Sequence, residues 1–158
     1  DFLTPVCKVF CTEAGIRAAD LGIQVLGGYG YLEEYAIAQC WRDARITSIY
    51  EGANGIHALA TATRGLRVQD GAGADGFDAL IGRLTDHPLV QALRDDWRRA
   101  RADVTASAAP ADMAHDFMQI TATLFYRAVW ARIGAIDAGE DLSALAAQVL
   151  RPARDWAV

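Results

Sequence analysis

Apolar residues recur at helical spacing through Val6, Phe10, Ala14, Ala18, Leu21 and Val25, and the pattern stops at the pair Gly27–Gly28. Such a run predicts one long helix with a strong C-terminal stop. Val9, Ile16 and Ile23 widen the apolar stripe. Burial on more than one side is therefore expected, as for a helix in the middle of a bundle. At the other end, Thr4–Pro5 reads as an N-cap followed by proline at the first helical position. No strand-rich segment and no internal repeat of useful period occurs in the 158 residues. The fold class expected is all-α, in two parts.

The rest of the chain divides at its breakers. Gly27–Tyr31, with three glycines, reads as a loop, and a helix is expected over 33–45. The β-branched stretch Ile46–Tyr50 suggests a short extended piece. Glu51–Gly52 marks a turn before a helix over 54–66. Residues 69–76, Gln-Asp-Gly-Ala-Gly-Ala-Asp-Gly, have the composition of a flexible linker. They are expected to separate an N-terminal helical part, 1–68, from a second, 77–158. That second part predicts a helix over 77–86, then one opened by Pro88 that carries Leu89, Leu93, Trp97 and Val104. Pro110–Asp112 is a break, a long apolar helix follows over 113–138 to Gly139, and a last helix runs from Asp141 towards Pro152.

Composition excludes some functions. With 53% hydrophobic residues the chain can bury a core. The net charge of -5 argues against a nucleic-acid partner, which needs a basic face. No signal peptide and no apolar run of about 18 residues is present, so no membrane role is expected. Cys7, Cys11 and Cys40 are an odd set in a helix-prone chain and read as reduced thiols of a cytoplasmic protein. Cys7 and Cys11 share a helical face, but no nearby histidine or third cysteine completes a metal set; buried small hydrophobes are the better reading. Lys8 is the only lysine. The start at Asp1 reads as a piece of a longer protein.

Three segments carry possible chemistry. Gln24-Val25-Leu26-Gly27-Gly28 places an amide and a glycine pair at a helix end, where donors can meet a phosphate or ring edge; such turns also simply end helices. It lacks the preceding strand of a dinucleotide fingerprint. Arg42-Asp43-Ala44-Arg45 is either a solvated helix end or a pair of fixed charges at a contact. In Ile49-Tyr50-Glu51-Gly52 a carboxylate follows an apolar stretch and precedes a glycine. Burial beside Tyr50 would raise its pKa towards the range useful for proton abstraction. The alternative is a glutamate that only stabilises a helix N-terminus.

Taken together and in order, Gln24–Tyr31, Glu34–Tyr35, Arg42–Ile46 and Ile49–Gly52 resemble the C-terminal signature of acyl-CoA dehydrogenases, over about residues 2–66. Leu3–Val6 and Glu51–Ile56 look most like the bacterial methylthiopropionyl-CoA dehydrogenase-like branch, which carries an extra C-terminal helical domain; residues 77–158 suit it in length and character. The resemblance implies a flavoenzyme with FAD, acting on an acyl-CoA and giving a trans-2-enoyl-CoA. It assigns proton abstraction at the α carbon to Glu51. It places Tyr50 and Gly52 against substrate, with the thioester oxygen polarised partly by the Glu51 N–H. Gln24, Val25, Leu26, Gly27 and Gly28 would meet the adenine-nucleotide half of a flavin held mainly by a neighbouring subunit of a homo-oligomer. Electron-transfer flavoprotein is the implied electron acceptor. Many relatives have Thr and Gln where this chain has Ala53 and Gly55, so these two could reach the cofactor through backbone only. The regions that hold most of the flavin and the acyl pocket are absent from these residues, so this piece is expected to oxidise nothing by itself. A catalytically silent homologue, serving as a binding or assembly module, is the alternative.

Overall fold

The computed structural model describes residues 1–136 and 140–151, and the described residues contain helices and turns but no strand. The helices are α1 (Leu3–Leu26), α2 (Ile37–Thr47), α3 (Asn54–Ala60), α4 (Ala72–Leu84), α5 (Pro88–Ala106), α6 (Ala114–Ala135) and α7 (Glu140–Val149). The all-α expectation holds. The expected stops at Gly139 and Pro152 lie outside the described residues.

α1 starts earlier than the sequence suggests. Its cap position is Phe2, not Thr4, and no side chain caps it. Pro5 therefore sits third in the helix, where its missing N–H has no intrahelical acceptor to lose. Phe2 is drawn inward against Phe77, with ring centroids 5.6 Å apart, which commits the chain to the helix before the expected cap. Burial on several sides does not hold within this chain. Val6, Val9 and Ala19 are buried, but Leu21, Val25 and Leu26 face outward.

Between α1 and α2 the backbone forms two short 3-10 turns, Gly27–Tyr31 and Glu33–Tyr35, in place of an open loop and a helix from residue 33. The left-handed Ala36 (φ 57°) separates them from α2. The extended piece expected over 46–50 is instead the end of α2 and a turn, in which the amides of Ile49 and Tyr50 both donate to the Ile46 carbonyl at 2.9 and 3.2 Å. β-branching is a weak preference here. The hydroxyls of Thr47 and Ser48 bond back to the carbonyls of Ala44 and Arg45 and close the helix end.

The expected linker is also structured. A 3-10 turn, Val68–Gly71, bends through Gln69 and Asp70 at positive φ, and α4 begins at Ala72. The small residues serve close packing. Ala74 is fully buried, and a Cβ on Gly73 would stand 3.2 Å from Cβ of Phe2. Low side-chain volume at this point brings α4 against the start of α1, and composition alone does not distinguish that from flexibility.

The core is one continuous cluster. Phe2, Val6 and Val9 of α1, Ala58 and Ala62, Phe77 and Ile81 of α4, Val90, Trp97 and Val104 of α5, and Phe117, Met118 and Leu124 of α6 belong to it. α6 is central and touches α1, α3, α4, α5 and α7, which explains why it is apolar nearly all round. Trp97 lies 5.0 Å from Phe77 and 6.1 Å from Phe117, centroid to centroid. Its indole N–H donates to Thr121 Oγ1 at 2.9 Å, and that hydroxyl donates to the Phe117 carbonyl at 2.6 Å, so these two buried polar side chains are satisfied.

Candidate active site

The chain leaves α2 at Thr47, turns, and enters α3 at Asn54, whose amide donates to the Ser48 carbonyl at 3.1 Å. Glu51 and Gly52 lie within this closed turn at φ 54° and 88°. A left-handed glutamate carries a conformational cost of roughly 1–2 kcal/mol, so its surroundings must hold it. Two side chains do. His57 Nε2 lies 3.0 Å from the Glu51 carbonyl; a carbonyl only accepts, so Nε2 is the protonated nitrogen of this ring. Lys8 of α1 donates from Nζ to the Gly52 carbonyl at 2.8 Å and to Asn54 Oδ1 at 2.9 Å. Gly52 is needed here twice over: its φ is left-handed, and a Cβ would stand 2.8 Å from His57 Nε2.

Asn54 is the hub behind the turn. Because Oδ1 accepts from the ammonium, Nδ2 faces the other way, towards Thr12 Oγ1 at 3.0 Å and Glu13 Oε1 at 3.4 Å. Glu13 in turn accepts from Gln119 Nε2 of α6 at 2.8 Å. Lys8, Thr12, Glu13 and Asn54 are all half-buried.

The carboxylate side of the turn is open. Tyr50, Glu51, Gly52, Ala53 and Gly55 are exposed. The apolar enclosure expected beside Tyr50 is therefore not supplied by this chain, since Tyr50 itself is 50% exposed. Among the described residues the Glu51 N–H has no protein acceptor. The turn thus offers a carboxylate and a free backbone donor from one residue, on a backbone gripped from behind. That pairing suits removing a proton next to a carbonyl whose oxygen is being polarised.

Gln24–Gly28 lie at the far end of α1. All five are exposed, Val25 by 85%, and no atom comes within 4 Å of a Cβ placed on Gly27 or Gly28. The strip is exposed and uncrowded at the glycine pair. The structure does not bring it to Glu51. Lys8 touches the Glu51 turn, and sixteen helical residues on, Gln24 is about 24 Å away along the axis. One ligand would have to be long to reach both, or the two sets face different ligand parts.

Arg42 does not pair with its neighbour Asp43. Its Nη2 donates to both carboxylate oxygens of Glu33, at 2.9 and 2.8 Å, across the break at Ala36. All three cysteines are free. Burial, and then the nearby Cys11, push the Cys7 thiol up. No cluster of three metal-ligating side chains occurs among the described residues, and no helix among them is long and apolar enough to cross a membrane.

Sequence reasoning singled out Glu51 and Gly52 but not Lys8, Thr12, Asn54 and His57, which hold their turn. A signal for Lys8 was present. It is the one lysine in a chain with fifteen Lys and Arg together. A compact ammonium can bridge two acceptors on different peptide units, where a planar guanidinium fits less readily.

Residues 2–66 match the family model described as acyl-CoA dehydrogenase, C-terminal domain. The same region is similar to the 3-methylmercaptopropionyl-CoA dehydrogenase of Ruegeria pomeroyi, with 52% identity over 58 residues, 37% of this chain and 10% of the relative. It is similar to the cyclohexane-1-carbonyl-CoA dehydrogenase of Geobacter metallireducens, with 42% identity over 60 residues, 38% of this chain and 16% of the relative. The mitochondrial very long-chain specific acyl-CoA dehydrogenase of Mus musculus is 43% identical over 60 residues, 38% of this chain and 9% of the relative. The match thus spans only a tenth to a sixth of these relatives' length.

Proposed function

We propose that this chain, whose residues 2–66 match the acyl-CoA dehydrogenase C-terminal domain model, carries the catalytic base of a flavin-dependent acyl-CoA dehydrogenase, and that the base is Glu51. The observation that carries this reading is the left-handed Glu51, with its carboxylate exposed, its N–H free and its carbonyl held by His57.

In this mechanism the Glu51 carboxylate takes the proton from the carbon α to the thioester carbonyl. As that bond breaks, charge develops on the thioester oxygen, and the Glu51 N–H is a preorganised donor for it. Gly52 leaves room for the substrate beside the backbone, and Tyr50 offers an apolar wall. When bound, FAD supplies the acceptor for the hydride leaving the β carbon. Gln24 to Gly28 would lie along its adenine-nucleotide half, and Ala53 and Gly55 could meet it only through backbone. The product is a trans-2-enoyl-CoA. A homo-oligomer, and electron-transfer flavoprotein as acceptor, complete the proposal.

The test is Glu51→Gln in the full-length flavoprotein that contains this chain. The amide keeps the shape and cannot take the proton. FAD and acyl-CoA should still bind, while flavin reduction in rapid mixing falls by at least the roughly 10²–10⁴-fold credited to general-base catalysis. A glutamate that merely favours a helix end contributes about 0.3–1 kcal/mol of stability and no rate. Near-normal bleaching in a folded, flavin-loaded variant would place the base elsewhere and favour a catalytically silent homologue.

A further inference from the structure

The Glu51 turn is gripped from behind by a line of polar side chains that does not stop within the matched region. It crosses α1 and ends on α6. Gln119 donates to Glu13 Oε2 at 2.8 Å; Glu13 Oε1 accepts from Asn54 Nδ2 at 3.4 Å; Asn54 Oδ1 accepts from Lys8, which also holds the Gly52 carbonyl at 2.8 Å. Thr12 bonds Asn54 from the same helix face. Each member is half-buried, so the bonds are partly shielded from water.

We propose that Gln119 of α6, acting through Glu13, Asn54 and Lys8, is a positioning residue for the Glu51 turn, so that the helical segment beyond residue 66 serves as a brace for the active-site backbone. This inference rests on the proposed role of Glu51. The chemistry of the line runs one way. The Lys8 ammonium can only donate, which fixes the Asn54 amide with Nδ2 towards Glu13. The Glu13 carboxylate can only accept, and Gln119 supplies its second donor from a helix buried at the centre of the core. Removing that donor frees Glu13 to rotate and leaves Asn54 Nδ2 with Thr12 alone, while Oδ1 keeps Lys8. The strained backbone at Glu51 then depends on His57 and on a lysine whose second acceptor is held less firmly from behind.

The test uses the full-length flavoprotein, with Gln119→Leu, Lys8→Met, their combination, and the exchange of Glu13→Gln with Gln119→Glu. Two readouts are taken: hydrogen exchange of the amides over residues 48–55, and flavin reduction in rapid mixing. Gln119→Leu should speed loop exchange and slow reduction, each several-fold, with flavin content unchanged. Lys8→Met should do more. The combination should be no worse than Lys8→Met, because both act along one line. The exchange of partners should restore both readouts, since the amide at position 13 then donates to the carboxylate at 119 and still accepts from Asn54. A mere loss of stability would instead speed exchange across α1 and α6 as much as over residues 48–55. Unchanged loop exchange in Gln119→Leu, additive losses, or failure of the exchanged pair to recover would each overturn the brace. Glu51→Gln measured beside them keeps the two ideas apart. If it still reduces flavin, the role of Glu51 fails, while loop exchange continues to judge the brace; if it is inert and Gln119→Leu is silent in both readouts, only the brace fails.

Discussion

At Asp78 two guanidiniums meet one carboxylate. Arg94 donates from Nε and Nη2 at 2.8 and 2.9 Å, and Arg98 from Nε and Nη2 at 2.9 and 2.8 Å. Burial pushes this carboxyl up, and the hydrogen bonds and charges of Arg94 and Arg98 outweigh it and hold it at about 2. The folded value lies below the unfolded one. Its stabilisation is therefore full above the ordinary carboxylate range and is lost as pH falls from there to about 2. In thermal melts, Asp78→Asn should be less stable than the parent at neutral pH, and the two should converge as pH approaches that value. A gap that persists unchanged in acid would mean the ion pairs are not its source. The pairing joins α4 to α5 over 16 and 20 residues, and nothing local in the sequence points to it. The same is true at the candidate site. Glu51 and Gly52 are adjacent, so an ordered set of motifs could single them out as candidates. His57 holds the Glu51 carbonyl and Lys8 the Gly52 carbonyl, but Lys8 does so from 44 residues away, and only the crossing of α1 over the turn makes it a partner.

At the scale of elements, the long periodic segments were legible and the punctuation was not. α1, α5 and α6 follow from their apolar spacing and from Pro88 and the Gly27 pair. The cap at Thr4, the first turn of the helix expected over 33–45 and the linker over 69–76 failed where residue preference met tertiary packing. Phe2 is pulled into the core ahead of the cap, and the small residues near Gly71 accommodate Phe2 instead of loosening the chain. The break at Ala36 has no sequence signal at all, because alanine is a strong helix former. Its φ of 57° stops one turn and starts α2. A left-handed alanine costs roughly 1–2 kcal/mol relative to the right-handed region. Ala36→Gly relieves that cost and gives back about 0.4–1 kcal/mol through the freer unfolded chain. The net expected is a gain of about 0.5–1 kcal/mol in denaturant unfolding. A loss of stability would show that the methyl group, and not the backbone angle, is what this position requires.

At the scale of the whole molecule, exposed and buried apolar residues are unevenly distributed. Leu21, Val25, Leu26, Tyr31, Ile46, Ile49 and Ile56 are exposed around α1, α2 and α3, whereas Phe77, Ile81, Val90, Trp97, Phe117 and Leu124 are buried. The first third of the chain therefore leans on the remainder through one end of α1, where Phe2, Val6 and Val9 enter the common cluster. This makes a definite statement about cooperativity. Trp97 touches Phe77 and Phe117, and Phe77 touches Phe2; Trp97 is fully buried. Trp97→Ala removes a large side chain from a close-packed interior, a change that costs about 3–5 kcal/mol. If one core serves both parts, that loss should appear in the amides of Val6 to Phe10 as well as in those of α5, with hydrogen exchange faster by roughly a hundredfold or more in both. If residues 1–68 instead held together by themselves, α5 and α6 would lose protection while the start of α1 kept it. The turn that presents Glu51 would then be insulated from damage in α5. On the packing of Phe2 against Phe77 it should not be, and the loop amides at 48–55 should accelerate together with α1, because Lys8, the residue that holds their carbonyl, moves with that helix.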